Sequence, residues 1–136
     1  MKTLLVLAKE SGLASAIRAV LDAERYRIVS QADAREAEPL LRQGTVDGCI
    51  LDADLTSIQP IRAIEQLGRA MPNCPIIVYA AATQWEWEEE AYLLGVDHVL
   101  SKPIRARLLN TVLDRIWRNE GSATEFLAAP APATET

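Results

Sequence analysis

The stretch Asp47-Gly48-Cys49-Ile50-Leu51-Asp52-Ala53-Asp54-Leu55 decides how this chain folds. Its apolar run, Cys49-Ile50-Leu51, ends abruptly in Asp52; a second carboxylate follows at Asp54, with polar Thr56 and Ser57 beyond. A short apolar run bounded by Gly and Asp suits a strand buried on both faces of a parallel sheet. An acid at the carboxyl end of such a strand stands where open α/β sheets keep their ligand crevice. The competing reading is a cap, in which Asp52 or Asp54 accepts backbone N–H groups of a following turn. The stretch alone does not separate the two.

Working outward, Thr3-Leu4-Leu5-Val6-Leu7-Ala8 is a continuous apolar strand, and Lys9-Glu10-Ser11-Gly12 is the turn leaving it. Leu13, Ile17, Val20 and Leu21 then recur at helical spacing. Arg27 to Gln31 is a shorter strand, and Ala34 to Gln43 a helix ended by Gly44. Pro39 sits late in that helix, so either the helix starts near it or is kinked there. After the strand ending at Asp52, Pro60 to Met71 gives a helix with Ile61, Ile64 and Leu67 on one face. Ile76 to Ala81 is a fourth buried strand, and Trp85 to Leu94 an acidic helix closed by Gly95. His98 to Ser101 is the last strand, Lys102-Pro103 follows, and Ile104 to Arg118 is the last helix.

Five strands thus alternate with five helices, which predicts an α/β fold: a five-stranded parallel sheet, helices on both faces. Ala8-Lys9-Glu10, Asp52, Ala80-Ala81 and Lys102 then share one carboxyl edge of the sheet, which favours the site reading of Asp52 over the cap.

The 136 residues suit one domain, placed at residues 1–120. Residues 121–136, rich in Ala, Pro and Thr without apolar periodicity, read as a linker or disordered tail. A net charge of -5, with Lys and Arg scattered, argues against a nucleic-acid partner. Met1-Lys2-Thr3 leads into only four or five apolar residues, too few for a signal-peptide core or a membrane span. A cytoplasmic protein with no membrane partner is the expectation. Cys49 and Cys74 read as reduced thiols rather than a disulfide framework.

From about Thr3 to Arg118 the chain resembles the receiver domain of two-component response regulators. The matching pieces are Leu51-Asp52 ending the third strand, Gly95-Val96-Asp97 before the fifth, and Lys102-Pro103 after it. The resemblance implies a flavodoxin-like strand order 2-1-3-4-5. It also implies Asp52 as phosphoacceptor from a histidine kinase, ionised and exposed at the strand end, with Lys102 as its charge partner. In the family two acids after the first strand hold Mg²⁺, a hydroxyl ends the fourth strand, and an aromatic in the fifth rotates with the phosphoryl group. Here the acidic pair falls on Ala8 and Lys9, with Glu10 one place beyond; the hydroxyl position is Ala80 and the aromatic position Val99.

A family site of three carboxylates and one lysine carries a net of minus two. Asp52, Lys102, Lys9 and Glu10 give between plus one and zero. Two unit charges ~4 Å apart interact by ~4 kcal/mol at an effective dielectric near 20, so an ammonium in place of a metal-facing carboxylate opposes a dication strongly. The expectation is no cofactor, with Mg²⁺ binding weak, no metal-ligand set, and Lys9 beside Asp52 substituting in part for the ion. The resulting picture is a pseudo-receiver, non-enzymatic and acting through protein contacts. The alternatives are a working phosphoacceptor and a flavodoxin-like cofactor binder, which would want a hydroxyl-rich loop after the first strand.

Expected partners are a histidine kinase or other signalling protein, a C-terminal output domain beyond residue 136, and a second copy. The family's partner face is the fourth helix, fifth strand and fifth helix, where Trp85, Trp87 and Trp117 fall. Trp85 and Trp87, two apart on a helix, cannot both face the core, so one is expected exposed. Tyr79 and Tyr92 read as packing or lining an edge, and His98 has no second ligand nearby.

Overall fold

The computed structural model describes residues 1–9, 12–32, 34–53, 60–81 and 87–128. The chain divides into two units, Met1–Arg105 and Ala106–Thr136. In chain order the first unit holds β1 (Lys2–Leu7), α1 (Gly12–Val20), β2 (Tyr26–Gln31), α2 (Ala34–Arg42), β3 (Gly48–Asp52), α3 (Pro60–Ala70), β4 (Ile76–Ala80), α4 (Glu88–Leu93) and β5 (His98–Ser101). Its five strands form one parallel sheet in the order β2-β1-β3-β4-β5, as expected.

Alternation along the strands sorts the core into two layers. Leu5, Leu7, Cys49, Leu51, Ile76, Val78 and Ala80 meet Ala37 and Leu41 of α2, Ala63, Ile64 and Leu67 of α3, and Ala91 of α4. Leu4, Val6, Ile50, Ile77 and Tyr79 are directed to the opposite face and are fully buried there. The step from β1 to β2 runs opposite to the later steps, so right-handed crossovers place α1 on that second face. Leu13, Ala14 and Ile17 are its buried side. Each fully buried Leu, Ile or Val side chain contributes about 1.5–3 kcal/mol on burial, and the inner strands carry many of them.

Two aspartates fix where strands begin. Thr3 N–H donates to Asp47 Oδ2 at 2.8 Å while Asp47 N–H donates to the Thr3 carbonyl at 2.8 Å. Asp97 repeats the device: it accepts from Ile76 N–H at 3.0 Å and donates to the Ile76 carbonyl at 2.9 Å. Each reciprocal pair closes an entry to the sheet and sets its register, which accounts structurally for Asp97 in the Gly95-Val96-Asp97 match.

Helix ends follow the glycines. Gly95, at φ 102°, donates to the Tyr92 carbonyl while Val96 N–H reaches back to the Ala91 carbonyl, both at 3.1 Å. This is a Schellman closure, with buried Val96 following the glycine and Ala91 at its base. α2 runs from Ala34 to Arg42 with Pro39 inside it, so the helix does not start at the proline. Exposed Pro39 offers no N–H to the Arg35 carbonyl, but flanking Ala37 and Leu41 are buried and hold the helix.

Two boundaries differ from expectation. α4 begins at Glu88, with Trp87 at its N-cap, while Trp85 lies outside the described residues. Three glutamates in its first turn complement the helix N-terminus. In the second unit, α5 (Ala106–Ala128) continues past Arg118 and takes in residues 121–128. Ala123, Glu125, Leu127 and Ala128 are good helix formers, and the first proline of that stretch is Pro130, beyond the helix. Leu109, Val112, Leu113 and Ile116 are its buried positions, at helical spacing.

Candidate functional site

β3 delivers Asp52 to the carboxyl edge of the sheet, in register with Tyr79 of β4. Ala53 N–H donates to the Tyr79 carbonyl and Lys102 N–H to the Ala80 carbonyl, both at 2.9 Å. The ends of β3, β4 and β5 are thereby pinned together, and Lys102 leaves β5 beside Asp52. Its Nζ lies 2.8 Å from Asp52 Oδ1. The Lys102–Pro103 peptide bond is cis.

Asp52 is 1% exposed, against 30% for the Lys102 side chain. The exposed carboxylate that the family resemblance implied is therefore not what this chain presents. A charge out of water is tolerable only when paired, and here the pairing is unequal: the acid is buried and the ammonium reaches solvent. This pair is the chemical centre of the edge.

The other sequence-derived positions fall around it. Ala8 is buried and donates its N–H to the Gln31 carbonyl at 3.1 Å. Lys9, the next residue, is exposed, and the ammonium that meets Asp52 is that of Lys102. Glu10 and Asp54 lie outside the described residues. Ala80 is buried in the α2–α4 layer, and half-buried Val99 packs against the same cluster. Among the described residues no three of His, Cys, Asp and Glu come together as a metal-binding group.

Of the tryptophans, Trp87 is half-buried and packs on the α2–α4 layer, its buried Nε1 having no hydrogen-bond partner. Trp117 is half-buried in α5. The large apolar exposure of α4 and the turn after it lies instead on Tyr92 at 42%, Leu93 at 82% and Leu94 at 39%. Sequence reasoning looked to the tryptophans and passed over Leu93, whose exposure follows only from which face α4 turns to the sheet. The two tyrosines divide between the roles foreseen. Tyr79 packs fully buried, its hydroxyl without a hydrogen-bond partner among the described residues and its pKa pushed by burial up to about 12. Tyr92 lines the β5 edge, its hydroxyl oxygen accepting from Val99 N–H at 3.0 Å. Neither Cys49 nor Cys74 is in a disulfide. Burial pushes the Cys49 thiol up, which makes it an inert core residue.

Residues 4–114 match the response regulator receiver domain family. The chain belongs to that family. Receivers are modules of two-component signalling, and this sheet order is theirs. Among curated proteins it is similar to the response regulator GtcR of Aneurinibacillus migulanus, 28% identical over 102 residues, covering 75% of this chain and 42% of the relative. It is likewise similar to the regulatory protein VanRB of Enterococcus faecalis, 25% identical over 124 residues, covering 90% of this chain and 56% of the relative. The chain thus spans about half the length of these relatives. Among solved structures, the receiver domain of the sensor histidine kinase PA1611 from Pseudomonas aeruginosa superimposes with a TM-score of 0.68 at 24% identity, over 84% of this chain and 95% of that one. That domain has a magnesium ion coordinated in its active-site cleft. A receiver domain protein from Clostridium thermocellum gives a TM-score of 0.79 at 15% identity, over 90% and 99% of the two chains. Both likenesses support the receiver fold.

Proposed function

We propose that this receiver is a pseudo-receiver, a signalling module whose phosphoryl switch is degraded and whose work is done through protein contacts. The observation that carries the proposal is the Asp52–Lys102 pair at 2.8 Å, in an edge where Ala8 and Lys9 replace the acidic pair. Mg²⁺ requires oxygen ligands in near-octahedral array. The described residues at this edge offer one carboxylate, already neutralised, beside a neighbouring lysine, and so do not fit the ion. Ala80 supplies no hydroxyl and Val99 no aromatic ring, so a modified Asp52 would lack the parts that report it.

Lys9 adds a second positive charge along this edge, next to β3 through β1. Its role is to keep positive charge at the edge, in partial substitution for the metal. Partners follow from the family: a histidine kinase or other signalling protein, an output module in the longer polypeptide, and a second copy through the surface that includes α4 and β5. No helix of the described residues is long and apolar enough to cross a membrane, in keeping with a cytoplasmic setting.

The alternative is a working phosphoacceptor, favoured by the survival of both Asp52 and Lys102. In it an Asp52 oxygen forms a bond to the donor phosphorus, and the leaving group departs with the electron pair of the bond it held to phosphorus, P–N in a phosphohistidine and P–O in an acyl phosphate. Incubation with a small phosphodonor and Mg²⁺, followed by intact-mass measurement, separates the two. The pseudo-receiver gains no phosphoryl mass on the timescale of an ordinary receiver. Prompt, near-complete labelling that Asp52→Asn abolishes would establish the alternative.

A further inference from the structure

β5 is an edge strand that leads directly into Lys102 of the site. It is four residues long and half-buried throughout. Its inner side is fastened to β4 by the register from Ile77–His98 to Ala80–Ser101 and by the Asp97–Ile76 bracket. Its outer side has no neighbouring strand, and an unpaired edge N–H ordinarily faces water. Val99 N–H instead donates to the Tyr92 hydroxyl at 3.0 Å. Tyr92 belongs to α4, a helix of only six residues. One hydrogen bond therefore joins a short helix to a short edge strand. Lys102 follows Val99 by three residues, about 10 Å of extended chain. In between, Leu100 and Ser101 run in register with Tyr79 and Ala80 of β4, and Lys102 N–H donates to the Ala80 carbonyl.

We propose that Tyr92 is a positioning residue: its hydroxyl holds β5 against α4 and thereby sets where Lys102 stands over Asp52. The inference rests on the ion pair and on the Tyr92–Val99 bond, and is indifferent to whether Asp52 is ever phosphorylated. Nothing in composition or spacing signals it, because the bond joins a helix side chain to a strand amide across the turn at Gly95. It also gives exposed Leu93, next in sequence to Tyr92, a mechanical connection to the charged edge: what displaces α4 displaces the strand that presents the lysine.

Tyr92→Phe removes the hydroxyl and keeps the ring. Amide hydrogen exchange and the side-chain carboxyl carbon resonance of Asp52 then test the proposal together. Exchange is expected to quicken about fivefold at both Val99 and Lys102, the value of one ordinary hydrogen bond. The Leu51 and Val78 amides keep their wild-type rates, and the Asp52 resonance moves because its counter-ion has shifted. Acceleration at Val99 alone, with the Asp52 resonance unmoved, would reduce Tyr92 to a cover for the sheet edge and overturn the proposal. Uniform acceleration across the core, a loss of stability without a specific tie to Lys102, would overturn it as well.

Discussion

Lys102→Ala is expected to lower the free energy of unfolding by about 3 kcal/mol, while Asp52→Asn costs about 1 kcal/mol or less. The asymmetry follows from exposure. The Asp52 side chain is 1% exposed, so removing the ammonium 2.8 Å away takes its counter-ion from a carboxylate held out of water. The Lys102 side chain is 30% exposed, so removing the acid leaves an ammonium that can turn outward. The partial exposure of Lys102 also places this cost at the low end for buried pairs. The double variant Lys102→Ala with Asp52→Asn is then expected to be more stable than Lys102→Ala alone, because the buried charge is gone. Urea unfolding of the four proteins measures this as a double-mutant cycle. Equal costs for the two single changes would mean that the carboxylate finds other compensation at this edge.

The second large effect is alkaline. Burial pushes the Tyr79 hydroxyl up to about 12, against the ordinary value of 10.0 in the unfolded chain. Between those values the folded protein holds a proton that the unfolded chain releases, so stability falls as pH rises through that window and is fully present below it. The loss amounts to roughly 2–3 kcal/mol by the upper end. Tyr79→Phe escapes it. At neutral pH the same substitution is expected to stabilise by about 1 kcal/mol, because the hydroxyl is buried with no hydrogen-bond partner among the described residues while the ring keeps its packing. Unfolding curves for both proteins at pH 7 and at pH 11.5 provide the check. The difference between them isolates Tyr79 from every other group that titrates there. A neutral-pH loss of stability in Tyr79→Phe would show that the hydroxyl is satisfied after all.

The sheet was legible because its signals are local and redundant. Cys49-Ile50-Leu51, Ile76 to Ala80 and Thr3 to Ala8 are apolar runs too short for helices and bounded by turn residues, and their order leaves few topologies. The convergence of Asp52 and Lys102 on one edge followed from that topology. The burial of Asp52 did not, because exposure depends on what lies over a strand end and not on the residue that ends it. Helix limits were harder. Pro39 argues for a break, yet Ala37 and Leu41 on a buried face outweigh the single hydrogen bond it forfeits. Beyond Arg118 the alanines share their composition with an Ala/Pro tail, yet alanine is also the best helix former and the prolines of that stretch begin only at Pro130. Contacts such as Tyr92 on Val99 have no local signature at all.

The charge of the carboxyl edge is what the whole functional account turns on, and a calorimetric titration of the protein with Mg²⁺ measures it most directly. With Ala8 and Lys9 in the acidic positions and Asp52 held by Lys102, no saturable binding is predicted at physiological Mg²⁺, and Asp52→Asn should give the same flat trace. Saturable binding in that range, lost in Asp52→Asn, would contradict it and make this chain a receiver with a working metal site.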